Sequence, residues 1–224
     1  GVNATFSNIQ FETTPWQASE WIPQPENTVD VNLTINSPTE IALAEYNLLF
    51  RANANGVADI YVNERLAVEG VPALANTVLN QMLTLDEGEN TIEVVFTPEE
   101  GYKPDDYSVL SDYSPKSITH QVIRRSLTGT DLYVRQDGVA TNSGTSYEDA
   151  LDMQTALSYA KPGQRILVYP GVYDMSNKSL SLARGSGGNS EARIVVEADP
   201  SLGGYAEFDF GGTGTGFTNF GSYM

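Results

Sequence analysis

Trp16 and Trp21 stand among Pro15, Pro23 and Pro25. Flat aromatic rings held by prolines can stack on sugar rings. Tyr107, in a loop shared with Tyr102 and Tyr113, is a third candidate for carbohydrate contact. Large aromatics more often fill the edge of a sandwich core. Carboxylates offer a second chemistry, since Ca2+ is bound by clustered oxygens. Asp105 and Asp106 are candidate metal ligands, and Asp86, Glu87 and Glu89 form a second acidic group. Neither has EF-hand spacing, and turn chemistry accounts for Asp86 and Asn90. His120 is the single histidine and there is no cysteine. Thiol catalysis and thiolate metal sites are thereby excluded, and His120 lacks the companions of a triad or zinc site. The glycine run from Gly211 to Gly216 follows a strand but opens no helix, so it is a coil corner and not a nucleotide fingerprint.

The elements that must position these residues are strands. The sequence is rich in Asn, Thr, Ser and Gly, a composition of strands and turns. Val29, Val31, Leu33 and Ile35 alternate with polar residues, which predicts one half-buried strand. Further strands are expected at 43–51, 59–63, 91–96 and 118–123, with a turn at Asn63-Glu64 and another at 86–90, where Gly88 supplies a positive φ. Short strands at this spacing predict a β-sandwich over residues 1–127, after an irregular start. Residues 124–130 read as a linker. Beyond it the pattern changes. A strand at 132–134 precedes a helix at about 147–160, whose Ser146 and Asp149 suggest a cap and whose end is marked by Pro162-Gly163. Strands follow at 165–173, 192–198 and 206–210.

Composition limits the partners. The formal net charge is −17 and the pI about 4.2. This charge disfavours nucleic acid and anionic membrane surfaces as partners, and the acidity serves solubility or Ca2+ binding. No apolar run approaches the ~20 residues that span a bilayer. No signal peptide precedes Gly1, as in a trimmed mature form. Asn3, Asn32 and Asn177 head N-glycosylation sequons, a pattern common by chance.

Two stretches resemble known families. "ADIYVNERLAVEG" and "LTLDEGENTIEVVFTPEEG" resemble the Ig- or cadherin-like sandwich domains of bacterial extracellular proteins. "DLYVRQDGVATNSGTSYEDALDMQTALSYAKPGQRILVYPGVYD" resembles the N-terminal cap and first coil of right-handed parallel β-helix proteins, and "GSGGNSEARIVVEADPSLGGYAEFDF" resembles the next coil. The order is similar to that of the pectate and exopolygalacturonate lyases of polysaccharide lyase family 9. The resemblance implies an all-β chain, with a sandwich at 1–127 and a capped, truncated parallel β-helix at 128–224. It also implies secretion and an acidic plant-type polysaccharide, or another extracellular glycan, as partner.

In that family a lysine removes the proton beside the uronate carboxylate, and Ca2+ on an Asp cluster stabilises the charge that develops. The resemblance places both on later coils. Lys103, Lys116, Lys161 and Lys178 have no neighbouring Asp cluster in sequence, so no catalytic residue is expected in this chain. Three readings follow. The chain is the N-terminal part of a secreted polyuronate lyase acting by β-elimination, inactive alone. Alternatively it is an extracellular structural, adhesive or filament-forming protein, self-associating through an open edge near Phe208, Phe210, Phe217 and Phe220. In the third reading it is a carbohydrate-binding module using Trp16, Trp21 and the tyrosines.

Overall fold

The computed structural model describes residues 27–183, 186–212 and 216–222. Its strands are β1 (Asn27–Val29), β2 (Leu33–Ile35), β3 (Glu40–Ile41), β4 (Glu45–Ala52), β5 (Gly56–Val62), β6 (Arg65–Ala73), β7 (Leu79–Thr84), β8 (Gly88–Pro98), β9 (Ser108–Leu110) and β10 (Lys116–Arg124). After β11 (Asp131–Val134) comes helix α1 (Met153–Tyr159). Then follow β12 (Arg165–Val168), β13 (Gly171–Asp174), β14 (Ser179–Leu182), β15 (Val195–Ala198), β16 (Ala206–Asp209) and β17 (Gly216–Asn219). The described residues are almost all β with one short helix, as the composition predicts.

The first ten strands form an Ig-like arrangement. One sheet has the order β2-β4-β7 and the other β3-β10-β8-β5-β6, while β1 pairs in parallel with β9. Period-two alternation explains the packing. Tyr46, Leu48, Phe50 and Ala52 of β4 point inward, as do Ile92, Val94 and Phe96 of β8, and all are essentially unexposed. The rings of Phe50 and Phe96 meet across the two sheets at 6.1 Å. Burying a large apolar side chain contributes about 1.5–3 kcal/mol, so these two rows supply much of the sandwich stability.

Turn chemistry sets the register. Asn63 and Glu64 take positive φ values of 51° and 63°, the conformation of a tight hairpin turn. Asn63 Nδ2 donates to Asn90 Oδ1 at 3.0 Å, and Asn63 Oδ1 accepts from Thr91 N at 2.9 Å. Buried Asn90 also donates to the carbonyls of Asp86 and Gly88 and accepts from the Asp86 amide. Gly88, at φ 96°, makes the turn possible. The alternating run 29–35 proves to be two strands. Asn53 intervenes, its Oδ1 accepting from Asn32 N and its Nδ2 donating to Asp30 O.

Beyond residue 130 every strand pairing among the described residues is parallel. The orders are β11-β12-β15, β13-β16 and β14-β17. Residues in register form inward columns. Leu132, Ile166 and Val196 make one column, Leu180 with Phe217 another, and Tyr173 stacks on Phe208 at 4.8 Å. The second core gathers Leu132, Ile166, Tyr173, Leu180, Val196 and Phe208 with Leu151, Ala156, Leu157 and Ile194.

The helix is shorter than its periodicity predicts. It begins at Met153, with Asp152 as N-cap accepting from Thr155 N at 2.9 Å. Ser146 does not cap it. The Leu151 backbone is tied to β11, through Leu151 N to Tyr133 O and Arg135 N to Leu151 O, so the chain cannot turn into a helix until that bridge is complete. Residues 124–130 are not a free linker either. Gln164, buried, donates through Nε2 to Gly129 O at 2.7 Å and accepts from Lys161 N at 2.8 Å.

Candidate functional site

Trp16 and Trp21 lie outside the described residues. Tyr107 is 69% exposed at the tip of a loop closed by an Asp105–Ser108 bridge. Its ring is available to a ligand. Asp105 is committed to its own turn. Its Oδ1 accepts the Tyr107 amide at 2.9 Å, and that bond, with one from the Ser108 side chain, holds the carboxyl below its ordinary range. No group of three His, Cys, Asp or Glu side chains able to hold a metal ion occurs among the described residues.

The basic and imidazole groups have structural partners. Lys116 pairs with Asp112 at 2.6 Å and keeps that carboxyl well below the usual range. Lys161 Nζ donates to Ser126 Oγ at 3.1 Å. His120 Nε2 lies 3.0 Å from Tyr46 Oη and 3.3 Å from Pro38 O. Tyr46 donates to the same carbonyl at 2.7 Å, and burial pushes its hydroxyl up to about 12. This cluster ties the turn before β3 to the sandwich core and contains no nucleophile with an exposed substrate path.

Three of the four phenylalanines expected at an open edge do meet. Phe208, Phe210 and Phe217, with Met153, Leu180 and Val196, line a cavity of about 240 Å³ whose walls are all apolar. Phe220 stands apart, 62% exposed, in a different cleft with Asn36, Ser37, Pro38, Ser181 and Ala183. Register explains the division. Phe217 pairs with inward-facing Leu180, whereas Phe220 follows the end of β17 and its amide bonds Leu182 O.

An aromatic row that sequence patterning missed lies on the outer face of β11 and β12. Tyr133 meets Tyr147 at 4.8 Å and Tyr147 meets Tyr169 at 5.1 Å, both edge to face. Arg135 lies 5.5 Å over Tyr169, while Tyr147 donates to Asp199 Oδ2 at 2.8 Å. Arg165 is engaged by Asp131 in a two-point pair at 2.8 Å. The three tyrosines are separated by loops of different length, so no periodic signal marked them.

The two halves are joined by direct bonds. Arg125 donates to the carbonyls of Ala140, Thr141 and Asn142. β3 packs against α1, and Tyr159 of α1 has its hydroxyl pushed up to about 12 by burial and by the Glu40 carboxylate.

An Ig-like domain with stacked parallel strands behind it defines a class before it defines a function. Residues 34–113 match the family model of the pectate disaccharide-lyase central Ig-like domain. Almost the whole chain is similar to a curated protein, Pectate lyase L of Thermoclostridium stercorarium, at 29% identity over 221 residues. That alignment covers 97% of this chain and 17% of the relative, so the chain spans about a sixth of that protein's length. No solved structure matches at a significant level. No described helix is long and apolar enough to cross a membrane.

Proposed function

We propose that this chain is a portion of a secreted polyuronate lyase of the pectate-lyase type. In this reading residues 1–127 are a sandwich module and residues 128–224 are the cap and first coils of a right-handed parallel β-helix. The observation that carries the reading is the continuity of the similarity: it runs through both halves and is not confined to the Ig-like region. The wholly parallel pairing after residue 130 supports the β-helix part, since stacked coils pair in this way. Helix α1, lying beside β14, then covers the first coil and protects its open edge.

The elimination chemistry is assigned to coils beyond these. Lys116 and Lys161 are each engaged by a structural partner, and the described residues contain no group of three His, Cys, Asp or Glu side chains able to hold a metal ion. No catalytic step is routed through this chain. The test is β-elimination of polygalacturonate, followed by ultraviolet absorbance of the unsaturated product. The chain alone should give none, and a chain extended through the relative's remaining length should give a steady rate. Turnover by the isolated chain, or none by the extended one, would overturn the reading.

The apolar cavity at Phe208, Phe210 and Phe217 favours a second reading, in which copies associate through that end. Light scattering decides it: mass that grows with concentration, and that Phe217→Ser abolishes, supports assembly, whereas a constant monomer mass removes it.

A further inference from the structure

The cleft that holds Phe220 exists only because the two halves pack together. Asn36, Ser37 and Pro38 come from the segment between β2 and β3, and Ser181, Ala183 and Phe220 come from β14 and the residues after β14 and β17. Its volume is about 340 Å³, within the range of small-ligand clefts. The walls are held in place. Ser37 Oγ accepts from Leu49 N at 2.6 Å and donates to Asn47 O at 3.2 Å. Gln154 of α1 binds both backbone groups of Ser181, through Nε2 to its carbonyl and Oε1 from its amide. Arg125 and Lys161 fix the seam beside them.

Three features define what this cleft accepts. Phe220 offers an aromatic ring that is 62% exposed. The side-chain amide of Asn36 and the hydroxyl of Ser181 have no hydrogen-bond partner among the described residues. Among the described residues no charged side chain lines the cleft. An apolar ring face bordered by a few unfilled polar groups is the chemistry of a sugar site. The chain's net charge of −17 disfavours a free carboxylate there. From these features we propose that the seam cleft is a subsite for an uncharged pyranose unit of a glycan. The ring face stacks on Phe220, and the hydroxyls reach Asn36 and Ser181. The proposal rests on the polysaccharide reading above and narrows it: the chain holds a neutral or esterified stretch of polymer, away from the residues that perform elimination.

The experiment is an NMR titration of the whole chain with two galacturonate hexamers, one fully methyl-esterified and one free acid. The methyl ester should shift the amides of Ser181, Ala183 and Phe220, and the free acid should bind at least tenfold more weakly. Phe220→Ala should weaken methyl-ester binding at least tenfold with an unchanged melting temperature, Phe220→Trp should retain it, and Asn36→Ala should weaken it severalfold. Absence of methyl-ester binding, equal binding by Phe220→Ala, or equal binding of the free acid would each overturn the subsite. The elimination assay tests the lyase reading separately, so an active extended chain with no methyl-ester binding refutes this proposal alone.

Discussion

The guanidinium of Arg125 stands 5.9 Å over the ring of Tyr159 and donates to three consecutive backbone carbonyls, those of Ala140, Thr141 and Asn142. Its neighbour Arg124 points the other way, to Leu85 O at 3.3 Å and Glu87 at 3.5 Å. Side chains alternate across an extended backbone, so two successive arginines at the end of β10 each grip one half of the protein. Arg125→Ala should lower unfolding free energy by about 1–2 kcal/mol, the usual worth of charge-assisted hydrogen bonds lost at a partly open site. Arg125→Lys should not restore it, because an ammonium cannot reproduce the planar fork. Urea unfolding of both variants checks this, and an unchanged midpoint would refute the role.

The helix start gives a sharper contrast. Asp152 accepts the Thr155 amide at 2.9 Å and the Thr155 hydroxyl at 2.6 Å. Asp152→Ala should cost about 1 kcal/mol, the usual value for an N-cap. Ser146→Ala should stay within about 0.5 kcal/mol, as surface changes do. Thermal unfolding distinguishes them, and the reverse order would mean that the helix begins earlier.

Register in the parallel stack is testable by one buried and one exposed position. Ile166 is unexposed and in register with Leu132 and Val196, while Val195, one residue from Val196, is 41% exposed. Ile166→Ala should cost about 2–5 kcal/mol through lost burial and a residual cavity. Val195→Ala should cost under about 0.5 kcal/mol. Equal effects would show that the pleat is assigned to the wrong faces.

Asp199 makes stability fall in acid. Hydrogen bonds from Ser201, through hydroxyl and amide, and from Tyr147 hold its carboxyl below the ordinary range. A depressed folded value means that the unfolded state binds the proton more readily. The contribution is thus present above the unfolded value near pH ~4 and lost as pH falls through the folded one. Asp199→Asn should be less stable than the wild type at pH 7 and show a shallower decline below pH ~4. Denaturant midpoints across that range check the sign; a steeper decline in the variant would contradict it.

Much of this architecture was legible from local pattern. The rows Tyr46-Leu48-Phe50 and Ile92-Val94-Phe96 alternate so regularly that their strand type and buried face follow directly. Asn63-Glu64 and Gly88 announced their turns through conformational preference. Strands β6 and β14 were not legible. β6 is an edge strand and mostly exposed, so no hydrophobic period marks it. The length of α1 was misjudged because Leu151 fits helical spacing yet is held in a bridge to β11. Of the four phenylalanines singled out in the sequence, Phe208, Phe210 and Phe217 line one cavity, whereas Phe220 lines the cleft at the seam.

The sequence by itself determined what neighbours along the chain can decide: strand alternation, turn positions, an almost all-β composition and the absence of thiol chemistry. Tertiary structure alone decided which distant residues meet. The Asn36–Ser181–Phe220 cleft, the Tyr133–Tyr147–Tyr169 row and the grip of Arg125 on residues 140–142 join segments separated by long loops or opposite halves. Period and propensity act over a few residues, whereas these contacts depend on how two packed layers and a parallel stack are brought together. The chemistry proposed for this protein therefore sits at the seam, where no local pattern could announce it.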